Sequence, residues 1–127
     1  MYCWGWDDYG QLGRNGSGFN SEPQRIPLKI TLEGHPIRVA LGDVHTLILD
    51  HNNNLYACGQ NTAGQLGTGN WDDKYVPAKV DLNGKVIKIS CGVAHSMAVL
   101  EDGSLYGWGW NREGQLAVSN LEYSQVN

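Results

Sequence analysis

Apolar and polar residues follow the same order twice along the chain, about fifty residues apart. Ile37 and Val39 alternate with polar residues, and an apolar run at 47–49 follows shortly after them. The segments 87–89 and 97–100 repeat both patterns. Alternation with a period of two is typical of a strand with one buried face, and a short continuous run is typical of a buried strand. The chain is therefore predicted to be all-β, since no segment sustains the 3.6-residue period of an amphipathic helix.

A tight turn is predicted after each apolar run. Asn53 and Gly103 occupy equivalent positions there, and Asn and Gly are the residues that most readily adopt a positive φ. A hairpin at each turn would lead into a strand that begins with Leu-Tyr. Short runs behind prolines are predicted as edge strands, where a missing N–H costs little. These predicted strands are 55–58 and 105–108 after the turns, and the runs around 25–26 and 78–80 behind the prolines.

An internal repeat organises the whole chain. One block of thirteen residues occurs three times without gaps, at 1–13, 55–67 and 105–117, and a second occurs twice, at 34–46 and 84–96. Several anchors that recur in the same order are a specific signal of a repeat architecture. About four strands in roughly fifty residues predict the blade of a β-propeller, because each small sheet there packs against its neighbours.

The spacing of the repeats is not uniform. Gly5 and Gly59 are 54 residues apart, whereas Gly59 and Gly109 are 50 apart. Pro23 and Pro77 are interpreted as equivalent anchors, each ten residues after the last glycine of G-Q-L-G, so the four extra residues are predicted between 26 and 32, as a tolerated loop insertion. The predicted boundaries are the end of one repeat at 1–31, a complete repeat at 32–80 and most of a third at 81–127.

The repeat unit resembles that of the regulator of chromosome condensation family. It reads G-x-x-H-[ST], an apolar strand, and then [DN]-[GN]-x-L-Y-x-[WC]-G-x-[DN]-x-x-G-Q-L-G. The resemblance implies a propeller of seven blades, so that this chain would be an incomplete ring, either a piece of a longer protein or a unit that assembles with copies. Ala117 replaces the glycine found at Gly13 and Gly67, so a degenerate or differently shaped third turn is expected there.

The same resemblance implies a protein-interaction scaffold that presents variable loops to a partner. Two alternatives stay open: guanine-nucleotide exchange or regulation of a small GTPase by the complete propeller, and substrate-recognition repeats of a ubiquitin ligase. Light sensing, known for a plant member, uses a G-W-R-H-T motif. This chain has Asp43 and Val44, or Val93 and Ala94, where that motif has Trp and Arg, so light sensing is rejected.

Composition argues against several classes of function. Nine Lys and Arg against thirteen Asp and Glu give a net charge of −4, which disfavours direct nucleic-acid binding through phosphates. No apolar run approaches the roughly 20 residues of a membrane span, and no signal peptide is visible. Cys3, Cys58 and Cys91 include no C-x-x-C pair, which favours reduced thiols in the cytoplasm or nucleus. No catalytic or metal-binding constellation is apparent, so neither an enzyme nor a cofactor is expected.

Residues that recur in every repeat are interpreted as structural. His45 and His95 share one position, which favours an imidazole that hydrogen-bonds backbone between strands, because a catalytic group is needed only once. Gly59 and Gly109 are repeat positions of the same kind. The tryptophans in the W-G-W frame are expected to pack between blades; they are Trp4, Trp6, Trp108 and Trp110.

Residues that vary at matching loop positions are the candidate partner contacts. Trp71 stands in the loop 69–73 beside Asp72, and an exposed aromatic residue flanked by acids is a reasonable anchor for a partner. The others are Asp43, Tyr9 and Arg112, together with their neighbours Asp8, Val44 and Glu113.

Overall fold

Ten antiparallel strands build the chain. The computed structural model describes residues 1–16 and 22–117, together with the backbone of 123–124. No helix occurs among these residues, and therefore none that is long and apolar enough to span a membrane. The strands are β1 (Tyr2–Gly5), β2 (Gln24–Lys29), β3 (Pro36–Leu41), β4 (His45–Asp50), β5 (Leu55–Gly59), β6 (Lys74–Val80), β7 (Val86–Cys91), β8 (His95–Leu100), β9 (Leu105–Trp110) and β10 (Tyr123–Ser124).

The strands form three sheets that follow the repeats. β1 pairs with β2, β3 to β6 form a four-stranded meander, and β7 to β10 form another. The prediction of all-β, four-stranded blades in an incomplete propeller is confirmed. The hairpin turns are confirmed as well, since Asn53 has φ 64° and Gly103 has φ 90°.

The register of the outer strands corrects the position of the insertion. In the pairing of β1 with β2, Tyr2 lies opposite Lys29. In the pairing of β5 with β6, Tyr56 lies opposite Lys79. Pro27, rather than Pro23, is therefore the counterpart of Pro77, and the four extra residues precede β2 instead of lying between 26 and 32. Sequence spacing misled here because two prolines lie close together, and only strand pairing distinguishes them.

The prediction of edge strands holds with one difference. β2 and β6 each pair with a single neighbour, so both are edges of their sheets. Pro27 and Pro77 lie inside these strands and not ahead of them. An edge strand tolerates this because the missing N–H can face away from the ladder.

The hydrophobic core lies between the two four-stranded sheets. β4 is buried along its whole length, as its apolar run predicts, and it contacts β7 of the next sheet. β8 instead alternates, with Met97 and Val99 only half-buried. β3 and β4 contact β7 of the third sheet, and on the other side Thr46 and Cys58 bond to the Gln11 carbonyl in the loop after β1. The core consists of Leu47, Leu49, Leu55, Ala57, Leu66, Val80, Val86, Ala98, Leu100 and Trp108.

Candidate interaction face

The first two G-Q-L turns each offer one backbone carbonyl to the next sheet. The carbonyl oxygen of Gln65 accepts hydrogen bonds from Ser96 Oγ at 2.7 Å and from Trp108 Nε1 at 2.9 Å. The carbonyl oxygen of Gln11 accepts one from Thr46 Oγ1 at 2.7 Å. The recurring Ser or Thr after each histidine therefore joins one sheet to the turn of the sheet before it. This explains why the motif requires a hydroxyl there.

A buried Asx residue shapes each turn from inside. The side chains of Asp7, Asn61 and Asn111 are fully buried. Their Oδ1 atoms accept the backbone N–H of the leucine five residues later at 2.8, 2.9 and 2.9 Å respectively. Sequence reasoning noted the [DN] position in the repeat and gave it no role. Its recurrence beside G-Q-L was the signal that could have identified it as an internal cap.

The same position differs in charge between the first two repeats. The guanidinium of Arg14 pairs with Asp7 Oδ2 and reaches Gln24 Oε1 at 3.2 Å. In the next repeat Asn61 Nδ2 donates instead to the carbonyl of Asn70 at 2.7 Å and to Thr68 Oγ1 at 3.4 Å. The first turn is therefore closed by a buried ion pair and the second by neutral hydrogen bonds.

Ala117 keeps the shape of the third turn in spite of its side chain. It has φ 55°, close to 67° at Gly13 and 68° at Gly67. Its N–H donates to Gly114 at 3.0 Å, as that of Gly67 does to Gly64. The expectation of a differently shaped turn is therefore wrong, because the hydrogen bonds of the turn hold alanine in a conformation that costs it roughly 1–2 kcal/mol.

His45 lies completely buried between the second and third sheets. Its Nε2 atom is 2.9 Å from the Ser96 Oγ atom of the third sheet. Since Ser96 donates its only proton to Gln65, its oxygen accepts from His45, and Nε2 carries the imidazole proton. Nδ1 then has no partner among the described residues. Burial, followed by the nearby His95, lowers the pKa of His45 to about 4.

Glycines beside the two histidines and near the ends of β5 and β9 leave room for these contacts. A Cβ on Gly42 would lie 2.6 Å from the carbonyl oxygen of Gly92, and one on Gly92 would overlap the His95 ring. Gly59 and Gly109 have φ 113° and 99°, which glycine adopts readily. A Cβ on Gly109 would approach the Ala94 carbonyl oxygen to 2.6 Å.

The tryptophans of the W-G-W frame differ in burial. Trp108 is buried and packs against Gly67 of the preceding turn. Trp4 has the same position in β1 but is 60% exposed, and Trp6 and Trp110 are also exposed. Trp108 is covered by the turn of the preceding repeat, where its Nε1 donates to the carbonyl oxygen of Gln65. Trp6 meets Tyr9 edge to face, with the ring centroids 6.0 Å apart.

Cys3, Cys58 and Cys91 are free thiols in the structure. Cys58 is buried, and burial raises its pKa to about 12, with Asp7 adding to the effect. Burial also raises the pKa of Cys91, to about 11, and that of Cys3. None of the three is therefore a thiolate near neutral pH. Within 1–16 and 22–117 no group of three or more His, Cys, Asp or Glu is placed to hold a metal ion.

The candidate contacts all lie at one end of the sheets. β4 begins opposite the end of β5, since His45 pairs with Gly59, and Gly59 pairs with Lys74 of β6. The third sheet has the same arrangement, with His95 opposite Gly109. We call this end the loop face; it consists of the turns 42–44 and 92–94 and the loops 6–13, 60–73 and 111–117.

The candidate partner contacts on the loop face differ in how exposed their side chains are. Trp71 is 51% exposed, and its ring lies against Gly64. Asp72 is exposed and forms a surface ion pair with Lys74 at 3.8 Å. Asp43, Arg112 and Glu113 are exposed, while Tyr9, Asp8 and Val44 are half-buried.

Comparison with known proteins agrees with this architecture. A family model described as the regulator of chromosome condensation (RCC1) repeat matches residues 1–49 and 52–99, and a second with the same description matches 37–65 and 86–115. The chain is 38% identical over 74 residues to the ultraviolet-B receptor UVR8 of Arabidopsis thaliana, covering 58% of this chain and 16% of that protein. It is 36% identical over 77 residues to the probable E3 ubiquitin-protein ligase HERC4 of Mus musculus, covering 59% and 7%.

A solved structure shows the same fold. Prp20p of Saccharomyces cerevisiae superposes with a TM-score of 0.87 at 22% sequence identity, over 98% of this chain and 32% of Prp20p. The chain thus spans about a third of that propeller and a smaller part of each curated relative.

Proposed function

The chain belongs to the regulator of chromosome condensation (RCC1) repeat family, and on that premise we propose that it is a protein-interaction module. It binds a protein partner through the loop face and has no catalytic centre or cofactor of its own. The observation that carries the proposal is the contrast between constant and variable positions. The hydrogen bonds that hold the turns recur from repeat to repeat, while the exposed side chains at their tips differ.

The charge and shape of the loop face favour a partner with a basic surface. Asp43, Asp72 and Glu113 are exposed there beside the cation Arg112, and Lys74, which pairs with Asp72, begins β6. Charge complementarity mainly sets association rate and selectivity, and a large aromatic anchor supplies affinity. Trp71 is the anchor in this proposal, because it is half exposed in the longest described loop of the face.

Regulation of a small GTPase and substrate recognition for a ubiquitin ligase are two roles in which such a module could act. Prp20p binds Gsp1p and histones, and HERC4 is a probable E3 ubiquitin-protein ligase. Both activities concern much longer proteins. The free protonated thiols and the acidic net charge support a location in the cytoplasm or nucleus and disfavour direct nucleic-acid binding.

Affinity capture followed by binding measurements tests the proposal. Proteins captured by the wild-type chain are compared with those captured by Trp71→Ala, and each candidate is then purified and titrated by calorimetry. Leu105→Ala is the matched control, because Leu105 is 63% exposed at the opposite end of β9. We expect Trp71→Ala to weaken binding by about tenfold or more, the loss of roughly 2 kcal/mol typical of an anchor. A partner that binds both variants equally would refute a loop-face contact.

A further inference from the structure

A cleft of about 500 Å³ opens at the rim between the first two sheets, away from the loop-face contacts. One wall is the turn 13–15 and the segment 29–33 that ends β2, and the other is formed by β5 and β6. Its volume lies within the range of roughly 300–1,000 Å³ that is common for binding sites. Both walls are formed by described residues of this chain.

The cleft combines three cations with an apolar floor. Arg14, Lys29 and Lys79 line it, and Glu33 is the only carboxylate among its lining residues. Ile30, Leu32, Val76 and Pro77 supply apolar surface, and the Tyr56 side chain is also part of the lining.

The three cations that line the cleft differ in whether a carboxylate of the chain already pairs with them. Arg14 is held by buried Asp7. Lys79 meets Asp81 at 3.6 Å, but both side chains are more than half exposed, and such a pair contributes little. No carboxylate of the described residues lies within ion-pair distance of Lys29. Lys29 and Lys79 are therefore free to bind an added anionic group.

The next pair of sheets provides an internal comparison. A cleft of about 410 Å³ lies at the equivalent position, where Thr68 replaces Arg14, Asn83 replaces Glu33 and Tyr106 replaces Tyr56. Its lining carries one cation, Lys79, and one carboxylate, Asp81. Lys79 lines both clefts, and among the described residues Arg14 and Lys29 line only the first.

We propose that the cleft between the first two sheets binds an acidic peptide segment of a partner protein. Glutamate or aspartate side chains of the segment pair with Lys29 and Lys79, while an apolar side chain between them rests on Ile30, Leu32 and Pro77. Exposed lysines beside apolar surface fit carboxylates that flank an apolar residue. The second cleft binds such a segment more weakly, because its described lining has Lys79 but neither Arg14 nor Lys29.

A nuclear magnetic resonance titration of the ¹⁵N-labelled chain tests the proposal. The probe is the blocked peptide Glu-Glu-Leu-Glu-Glu, and Gln-Gln-Leu-Gln-Gln serves as the uncharged control peptide. We expect the amide signals of 13–15, 29–33 and 76–79 to shift with the acidic peptide and not with the control. The affinity should fall steeply between 50 and 500 mM NaCl, because exposed charges are screened.

Paired lysine variants locate the interaction. Lys29→Gln with Lys79→Gln should weaken binding about tenfold, since each exposed ion pair is worth up to about fivefold. Lys85→Gln with Lys88→Gln removes the same charge from β7 and the turn before it, outside both clefts, and should leave binding unchanged. Equal weakening by the two pairs, shifts of equal size at 67–69, or no shifts at millimolar peptide would each overturn the proposal. Trp71→Ala should leave these shifts intact, so failure of the loop-face proposal is recognised separately.

Discussion

The buried ion pair of the first turn allows a quantitative test of how the repeats tolerate different side chains. Asp7 is completely buried, and the Arg14 side chain is 17% exposed. Arg14→Thr installs the residue of the second repeat and leaves the Asp7 carboxylate bonded only to the N–H of Leu12. Removing one partner of a buried pair costs about 3–5 kcal/mol because the remaining charge is uncompensated. We expect a loss near 3 kcal/mol, since the rim position of Arg14 admits some water.

The double variant supplies the decisive comparison. Asp7→Asn with Arg14→Thr reproduces the Asn61 and Thr68 of the second repeat, whose hydrogen bonds close the same turn without charge. Its free energy of unfolding should lie within about 1 kcal/mol of the wild type, so the coupling energy between the two positions is about 2 kcal/mol or more.

Urea denaturation at pH 7, followed by tryptophan fluorescence and circular dichroism, measures all four members of the cycle. The control is Lys88→Thr, which removes an exposed cation from β7. The reasoning is refuted if Arg14→Thr is no less stable than this control. It is refuted as well if the double variant loses the full sum of the two single losses.

Four further outcomes follow from the interior of the sheets. The free energy of unfolding should fall as the pH is lowered from about 6.5 towards 4, because buried His45 takes up its proton only near pH 4. The lowered pKa of His45 accounts for a loss of about 3 kcal/mol over this range. His45→Asn should remove this pH dependence from the urea midpoint. Gly42→Ala should cost about 1–3 kcal/mol in urea unfolding, because its Cβ would press on Gly92 and the histidine ring, and unchanged stability would contradict that packing. Ala117→Gly should raise the unfolding free energy by about 1 kcal/mol by relieving a positive φ, and a loss of stability would show that the turn is shaped otherwise. Cys58 should react with a thiol reagent at pH 8 only after unfolding, and rapid labelling of the native chain, read by mass spectrometry of peptides, would be inconsistent with its burial.

Much of the architecture could be predicted from the sequence because the repeat displays it several times. Strand positions, the hairpin turns at Asn53 and Gly103, and the all-β fold followed from patterns that depend only on local backbone preference and the burial of alternate residues. The candidate contacts were found by the same comparison, since residues that differ at matching loop positions are freed from packing. That they all lie at one end of the sheets follows from strand register.

Other features depended on neighbours that are remote in the chain. Whether Pro23 or Pro27 matches Pro77 was settled by pairing between β1 and β2, because spacing alone permits both. The partner of His45 is a hydroxyl 51 residues away, and no local pattern identifies it. The burial of Trp108 has the same origin, since it depends on the turn of the preceding repeat and not on its own strand.

The sequence by itself determined the repeat, the strands and the family, because these depend on local preferences that recur in every copy of the repeat. The tertiary structure alone decided the contacts between sheets: the shared carbonyl of Gln65, the buried charge of Asp7 and the cationic cleft. These join residues from different repeats, and their energies depend on burial and on distances that strand packing fixes.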